Sequence, residues 1–147
     1  MLAVQNREIE IHDSELDRIT FEGVDAVLHF PYVYIHASEG RPGIDAGTGW
    51  GQEAVVRIGN ARVEGSFSEE SRAAYGGVHS LSDGALTVDG CVHDNAIPIP
   101  LDVHGHVELK LECWGDIVRV FGNSVRLELV GSPEYIEEFS GSGNNVP

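Results

Sequence analysis

His104-Gly105-His106 is the one place in this chain where two histidines stand two residues apart. Residues two apart on a strand share a face, so the pair has the spacing of two imidazole ligands to one transition metal. His12-Asp13 and His93-Asp94 each set an acid beside a histidine. A carboxylate can orient an imidazole for proton transfer, but strand neighbours point to opposite faces, so neither dipeptide preassembles. Turn chemistry accounts for both, above all for Asp94-Asn95. His29 and His36 fall in an apolar stretch and read as hydrogen-bonded core or rim residues. Cys91 and Cys113 form no C-x-x-C pair and have neither a helix start nor a basic cluster to lower a thiol pKa. They read as small buried hydrophobes. Serine chemistry lacks the Gly-x-Ser-x-Gly elbow. No single pair of carboxylates carries weight, because 24 acids in 147 residues must place some side by side.

The segment Ser38 to Gln52 carries five glycines and joins two strand-like stretches. A long loop of this kind is often functional. Gly47-Thr48-Gly49-Trp50-Gly51 suggests a phosphate cradle, but a P-loop needs a Lys-Ser/Thr and a following helix, and strand residues follow instead. Two readings remain. Trp50 closes over one end of the core, or Asp45, Thr48, Trp50 and Gln52 contact a ligand or partner. Tyr34 and His36, with Tyr32, share one face of the preceding strand and suit a pocket wall or an interface. The histidine pair of the cupins also sits on a β-barrel, so 104–106 was compared with it. That pattern wants a glycine six residues before the first histidine and a glutamate four or five after the second. Pro98, Lys110 and Leu111 stand there, and the resemblance fails. His104-Gly105 then reads as a hairpin turn. Neither a metal nor a cofactor is implied.

The elements that would carry these residues are strands. Ile9 and Ile11 alternate with acids and His12; Val107, Leu109, Leu111 and Cys113 alternate with Glu108, Lys110 and Glu112; Val125, Leu127 and Leu129 alternate with Arg126 and Glu128. A period of two gives one buried and one wet face. Glycine-containing turn signals separate the runs, among them Asp83-Gly84, Asp89-Gly90 and Gly122-Asn123. Strands are expected at 7–12, 17–22, 24–30, 32–37, 53–58, 61–67, 84–89, 91–93, 96–101, 106–113, 116–121, 124–130 and 134–138. The stretch Val24 to Ile35 is a central strand, or two strands bent at Pro31. Pro98 and Pro100 mark an edge strand. One helical turn or a loop fits 68–75, where Ser66 and Glu69 have capping-box spacing and Gly76 follows as a stop. The fold expected is all-β: about 10–12 short, mainly antiparallel strands in a sandwich or partly closed barrel, ending in a meander over 84–138. Residues 1–139 make one domain and 140–147 a flexible tail.

A net charge of −15 supplies no basic footprint for nucleic acid or for an anionic membrane surface. No signal peptide and no transmembrane run is visible, so a cytoplasmic location is expected. The leading functional expectation is a small non-enzymatic binding or accessory domain, of immunity or mobile-element type. A homodimer through paired sheet edges is expected with it. One alternative is a ligand-binding or enzymatic barrel whose pocket the 38–52 loop covers. Another is an acidic decoy for a basic protein.

Overall fold

The computed structural model describes residues 5–74 and 76–140. Strands β1 (Asn6–Leu16), β2 (Arg18–Glu22), β3 (Asp25–Ser38), β4 (Gly47–Gly59) and β5 (Arg62–Gly65) precede the helical turn α1 (Glu69–Ala74). Strands β6 (His79–Ser80), β7 (Asp83–Val88), β8 (Cys91–Asp94), β9 (Ala96–Ile99), β10 (Asp102–Cys113) and β11 (Asp116–Phe139) follow it. All belong to one antiparallel sheet in the order β6-β1-β3-β4-β11-β10-β7-β8, with β2 also on β3, β5 on β11 and β9 on β1. The all-β expectation holds. Between the sandwich and the barrel, the chain takes a single sheet curled into a half-barrel.

Asn95 stitches the curl. It stands between β8, at one end of the sheet, and β9, which pairs with β1 near the other. Its backbone N–H donates to the Gly84 carbonyl at 2.9 Å, and its carbonyl accepts from Ile11 at 3.1 Å. Its side-chain oxygen accepts from the His12 N–H at 2.7 Å. A φ of 56° lets one residue face both edges, and asparagine tolerates that region better than most. Inside the curl the expected alternations supply the core: Ile11, Leu28, Phe30, Val56, Leu86, Leu109 and Leu111 are all buried.

Several strands run longer than their sequence signals. Pro31 does not end β3, which continues to Ser38 with its register against β4 shifted between Phe30 and Val33. The shift accommodates a residue without an N–H and keeps Phe30 and Val33 both facing inward. The signal at Gly122-Asn123 is not a turn either, and the expected break between 130 and 134 is a bulge within one strand. Strand β11 is one element of 24 residues, whose neighbour changes from β5, up to Phe121, to β4, from Ser124. His104-Gly105 is not a hairpin turn but lies within β10, where pairing with β11 shifts between His104 and Val107. The strand β9 leaves the expected meander to pair with β1. In α1 the cap is Ser68, whose Oγ accepts from the Ser71 N–H at 3.3 Å, rather than Ser66. Gly76, at φ +71°, supplies the stop. No helix among the described residues is long and apolar enough to cross a membrane. The expected tail lies outside the described residues from 141 onward.

Candidate functional site

Only 39–46 of the 38–52 segment is loop, because β4 begins at Gly47 and pairs with the end of β3. The pairing explains the glycines. Gly49 and Gly51 stand opposite His36 and Tyr34, where the outer face of β4 is covered by aromatic rings. A Cβ at Gly51 would stand 2.5 Å from Tyr32 Cε2, and one at Gly49 would strike the Tyr34 hydroxyl. The glycines are a floor for tyrosines, not a cradle for phosphate.

Asp45 organises the loop: it accepts the Arg41 N–H at 2.6 Å, and this backbone hydrogen bond leads the causes that hold its carboxyl below the ordinary range. The other candidates divide between the two faces of the sheet. Tyr34 and His36 are on the convex face. Thr48, Trp50 and Gln52 are on the concave face, opposite Ala37, Ile35 and Val33. They do not form one site.

On the convex face His36 donates from Nε2 to Glu10 Oε2 at 2.9 Å and packs edge-on against Tyr34 and Phe139. That hydrogen bond holds the Glu10 carboxyl below its usual value against the pull of burial. Burial, and then Glu137 through its charge and a hydrogen bond, pushes the Tyr34 phenol up to about 12. The loop passes over His36, and Glu8, Glu10, Pro42 and Gly43 line a recess of about 210 Å³ there. Beside it Glu10, His12 and Asp13 bring three ligand-type atoms within 4.8 Å of one another, but His12 and Asp13 are exposed, and surface acids meet histidines this way without a metal. Burial pushes Glu8 up, helped by the charge of Glu10 and opposed by His36 and His93. A carboxyl raised on folding weakens the fold once pH passes its unfolded value, and costs nothing where both states are protonated. Glu8→Gln is therefore expected to raise the thermal midpoint at about pH 7 and to leave it unchanged at about pH 3, as read by circular dichroism.

On the concave face Trp50 directs its indole N–H to Thr48 Oγ1 at 2.8 Å and meets the Tyr135 ring edge-on at 5.3 Å. Arg7, Ile35, Ala37, Trp50 and Pro133 enclose an apolar recess of about 180 Å³. Gln52 is structural. It is 8% exposed and donates to the carbonyls of Gly131 at 2.8 Å and Val130 at 3.4 Å, which fills the β11 bulge.

Sequence reasoning missed the margin beside Trp50. Strand β10 leaves β11 at Arg126, and the last bond between the two paths is Leu127 N–H to the Leu101 carbonyl at 2.9 Å. From Glu128 to Phe139, β11 pairs with β4 alone among the described residues. Gly131 and Pro133 interrupt the first part of that edge, as edge strands commonly do. Glu134–Phe139 is open among the described residues, with Tyr135 52% and Ile136 41% exposed. A broad recess of about 640 Å³ continues from it, lined by Ser38, Glu39, Thr48, Glu138 and Phe139. The expected break between strands at 124–130 and 134–138 concealed this edge, because three short strands would each have had two neighbours. Cys113 is buried as expected, but Cys91 is exposed at the β7–β8 hairpin.

The fold is thus an acidic half-barrel with an open, apolar-backed strand edge. No family model matches the chain, and neither does any curated protein or solved structure.

Proposed function

We propose that this protein is a non-enzymatic binding module that captures an extended, basic segment of a partner protein on the Glu134–Phe139 edge of β11. The observation that carries the reading is that edge, which has no partner on one side among the described residues and is backed by the Trp50 recess. Strand addition gives affinity through main-chain hydrogen bonds and specificity through alternate side chains. Tyr135, opposite Trp50, faces the concave side, and Glu134, opposite Gly51, the convex side. An added strand that sets an apolar residue beside Tyr135 and basic residues beside Glu134 and Glu138 matches this edge, Glu138 lying on the concave side opposite Thr48 past the register shift. Net charge supports a basic occupant over a second copy, since pairing two such edges would set Glu134, Glu137 and Glu138 against their own kind. The homodimer is accordingly set aside, and a monomer is expected by light scattering. The loop-covered pocket ranks second, because the recess under the loop, at about 210 Å³, is smaller than the roughly 300–1,000 Å³ of ordinary ligand pockets, and the larger recess at Ser38, Glu39 and Thr48 is broad rather than covered.

The test uses a blocked twelve-residue peptide alternating lysine and valine, with Trp114→Phe leaving Trp50 as the only indole. Binding is expected to perturb Trp50 emission, to protect the 134–139 amides from exchange, and to weaken about tenfold from low to moderately high salt. Glu134→Gln with Glu138→Gln weakens it as well. Absence of binding, affinity independent of salt, or protection elsewhere in the sheet overturns the reading.

A further inference from the structure

A second cleft, of about 310 Å³, opens between α1, β2, β5 and β6 and shares no residue with the Trp50 end. Ile19, Val63, Phe67 and Val118 give it an apolar lining, and Arg72 and His79 contribute polar groups. Arg72 is already committed, donating to Asp17 Oδ1 at 3.1 Å and to the Gly77 carbonyl at 2.9 Å, so its charge is matched at the rim. His79 is the group left over. It is 95% buried, at 5% exposure, yet lines the cleft.

The hydrogen bonds behind His79 fix what its other nitrogen can do. Its Nδ1 lies 3.1 Å from Ser71 Oγ; Ser71 Oγ lies 2.8 Å from Cys113 Sγ; Cys113 Sγ lies 3.2 Å from the Ser80 carbonyl oxygen. A carbonyl only accepts, so the thiol proton goes to Ser80. The Ser71–Cys113 contact is then a hydrogen bond only if the hydroxyl donates to sulfur. With its single proton so used, the hydroxyl must accept from His79, which places the imidazole proton on Nδ1. Burial first, and then the Arg72 cation, push the His79 pKa down, which favours the neutral ring that this relay describes. The Nε2 lone pair is left as an acceptor, and no hydrogen bond from a described residue reaches it.

We propose that this cleft is a binding site for a small, neutral aromatic molecule carrying one N–H or O–H donor, received by His79 Nε2. The volume suits a two-ring compound, since an engineered cavity of about 150 Å³ holds benzene. The matched ion pairs at the rim ask for no ligand charge. The need for a donor follows from the relay alone and does not depend on the proposed strand addition. Sequence gave no sign of it, because Ser71, His79 and Cys113 lie on three separate elements.

Indole and benzofuran test it directly: they have nearly the same shape, and only indole has the N–H. Titrated into the unmodified protein and followed by amide NMR, indole is expected to shift the amides of residues 16–19 and 63–72. It should bind about fivefold more tightly than benzofuran, the worth of one net hydrogen bond. His79→Phe is expected to remove that preference while keeping a ring in place. The tautomer is measured independently from the His79 ring nitrogens by long-range proton–nitrogen correlation at a pH above about 7.5. The proton is expected on Nδ1. Equal affinity for the two probes, shifts confined to another surface, or the proton on Nε2 overturns the proposal. Should His79→Phe fail to fold, the comparison of probes and the tautomer still decide it.

Discussion

Gly122→Val is expected to destabilise the protein by about 3 kcal/mol or more, whereas Asn123→Thr, one residue on, shifts stability by less than about 0.5 kcal/mol. A Cβ at Gly122 would press on Ile58 Cγ2 and stand 2.5 Å from the Gly59 carbonyl oxygen. Neither can retreat. Ile58 is fully buried, and Gly59 is paired with Ser124 in the β4–β11 ladder. Forcing side-chain atoms into that space displaces β11 where it passes from β5 to β4. Asn123 is exposed, and its side chain makes no hydrogen bond among the described residues. A hairpin turn at Gly122-Asn123 would give the opposite ranking, because threonine is poorly suited to the positive φ that such turns require. Urea unfolding of both variants, followed by circular dichroism, distinguishes the cases. With a total stability of about 5–15 kcal/mol usual for a domain, the glycine variant is expected to sit near the limit of folding.

The same glycine shows what the sequence could reveal and what it could not. Alternation of period two named the buried face of β1, β10 and the middle of β11, from Val125 to Leu129, because that signal depends only on the direction of side chains along one strand. Gly122-Asn123 carries turn chemistry, yet the chain stays extended through it, whereas Gly131 uses its glycine backbone, at φ +73°, to make a bulge within β11 rather than a turn. What decides at Gly122 is not local preference but the close approach of β4, to which a lone sequence is blind. The same holds at Gly49 and Gly51, read as loop glycines and found in β4 under Tyr34 and Tyr32. Tyr34 and His36 share a face, as their spacing required, but nothing local could tell that Trp50 would face the opposite way. That relation is set by the β3–β4 register and its shift past Pro31. Ser71, His79 and Cys113 illustrate the limit most sharply. Each is unremarkable on its own segment, and only the curl of the sheet brings them together.

Phe30→Ala and Trp50→Ala should separate the aromatic residues that hold the fold from those that serve binding. Phe30 is 2% exposed and pairs with Ala54, itself fully buried, in the interior of the sheet. Its removal is expected to cost about 3–5 kcal/mol, since neighbouring strands held by continuous ladders cannot collapse into the space. Trp50 lies at the open end and is only partly buried. Part of its ring already faces solvent, its N–H can be satisfied by water, and Tyr135 can settle into the gap. The expected cost is about 1–2 kcal/mol. The order reverses for the lysine–valine peptide. Trp50→Ala should abolish binding at concentrations that saturate the parent protein, because the recess loses its wall. A milder core substitution, Phe30→Leu, should leave affinity unchanged while lowering the unfolding midpoint. If Trp50→Ala instead proves as destabilising as Phe30→Ala, and the peptide still binds to the fraction that remains folded, Trp50 belongs to the core and the open end of the half-barrel is not a binding surface.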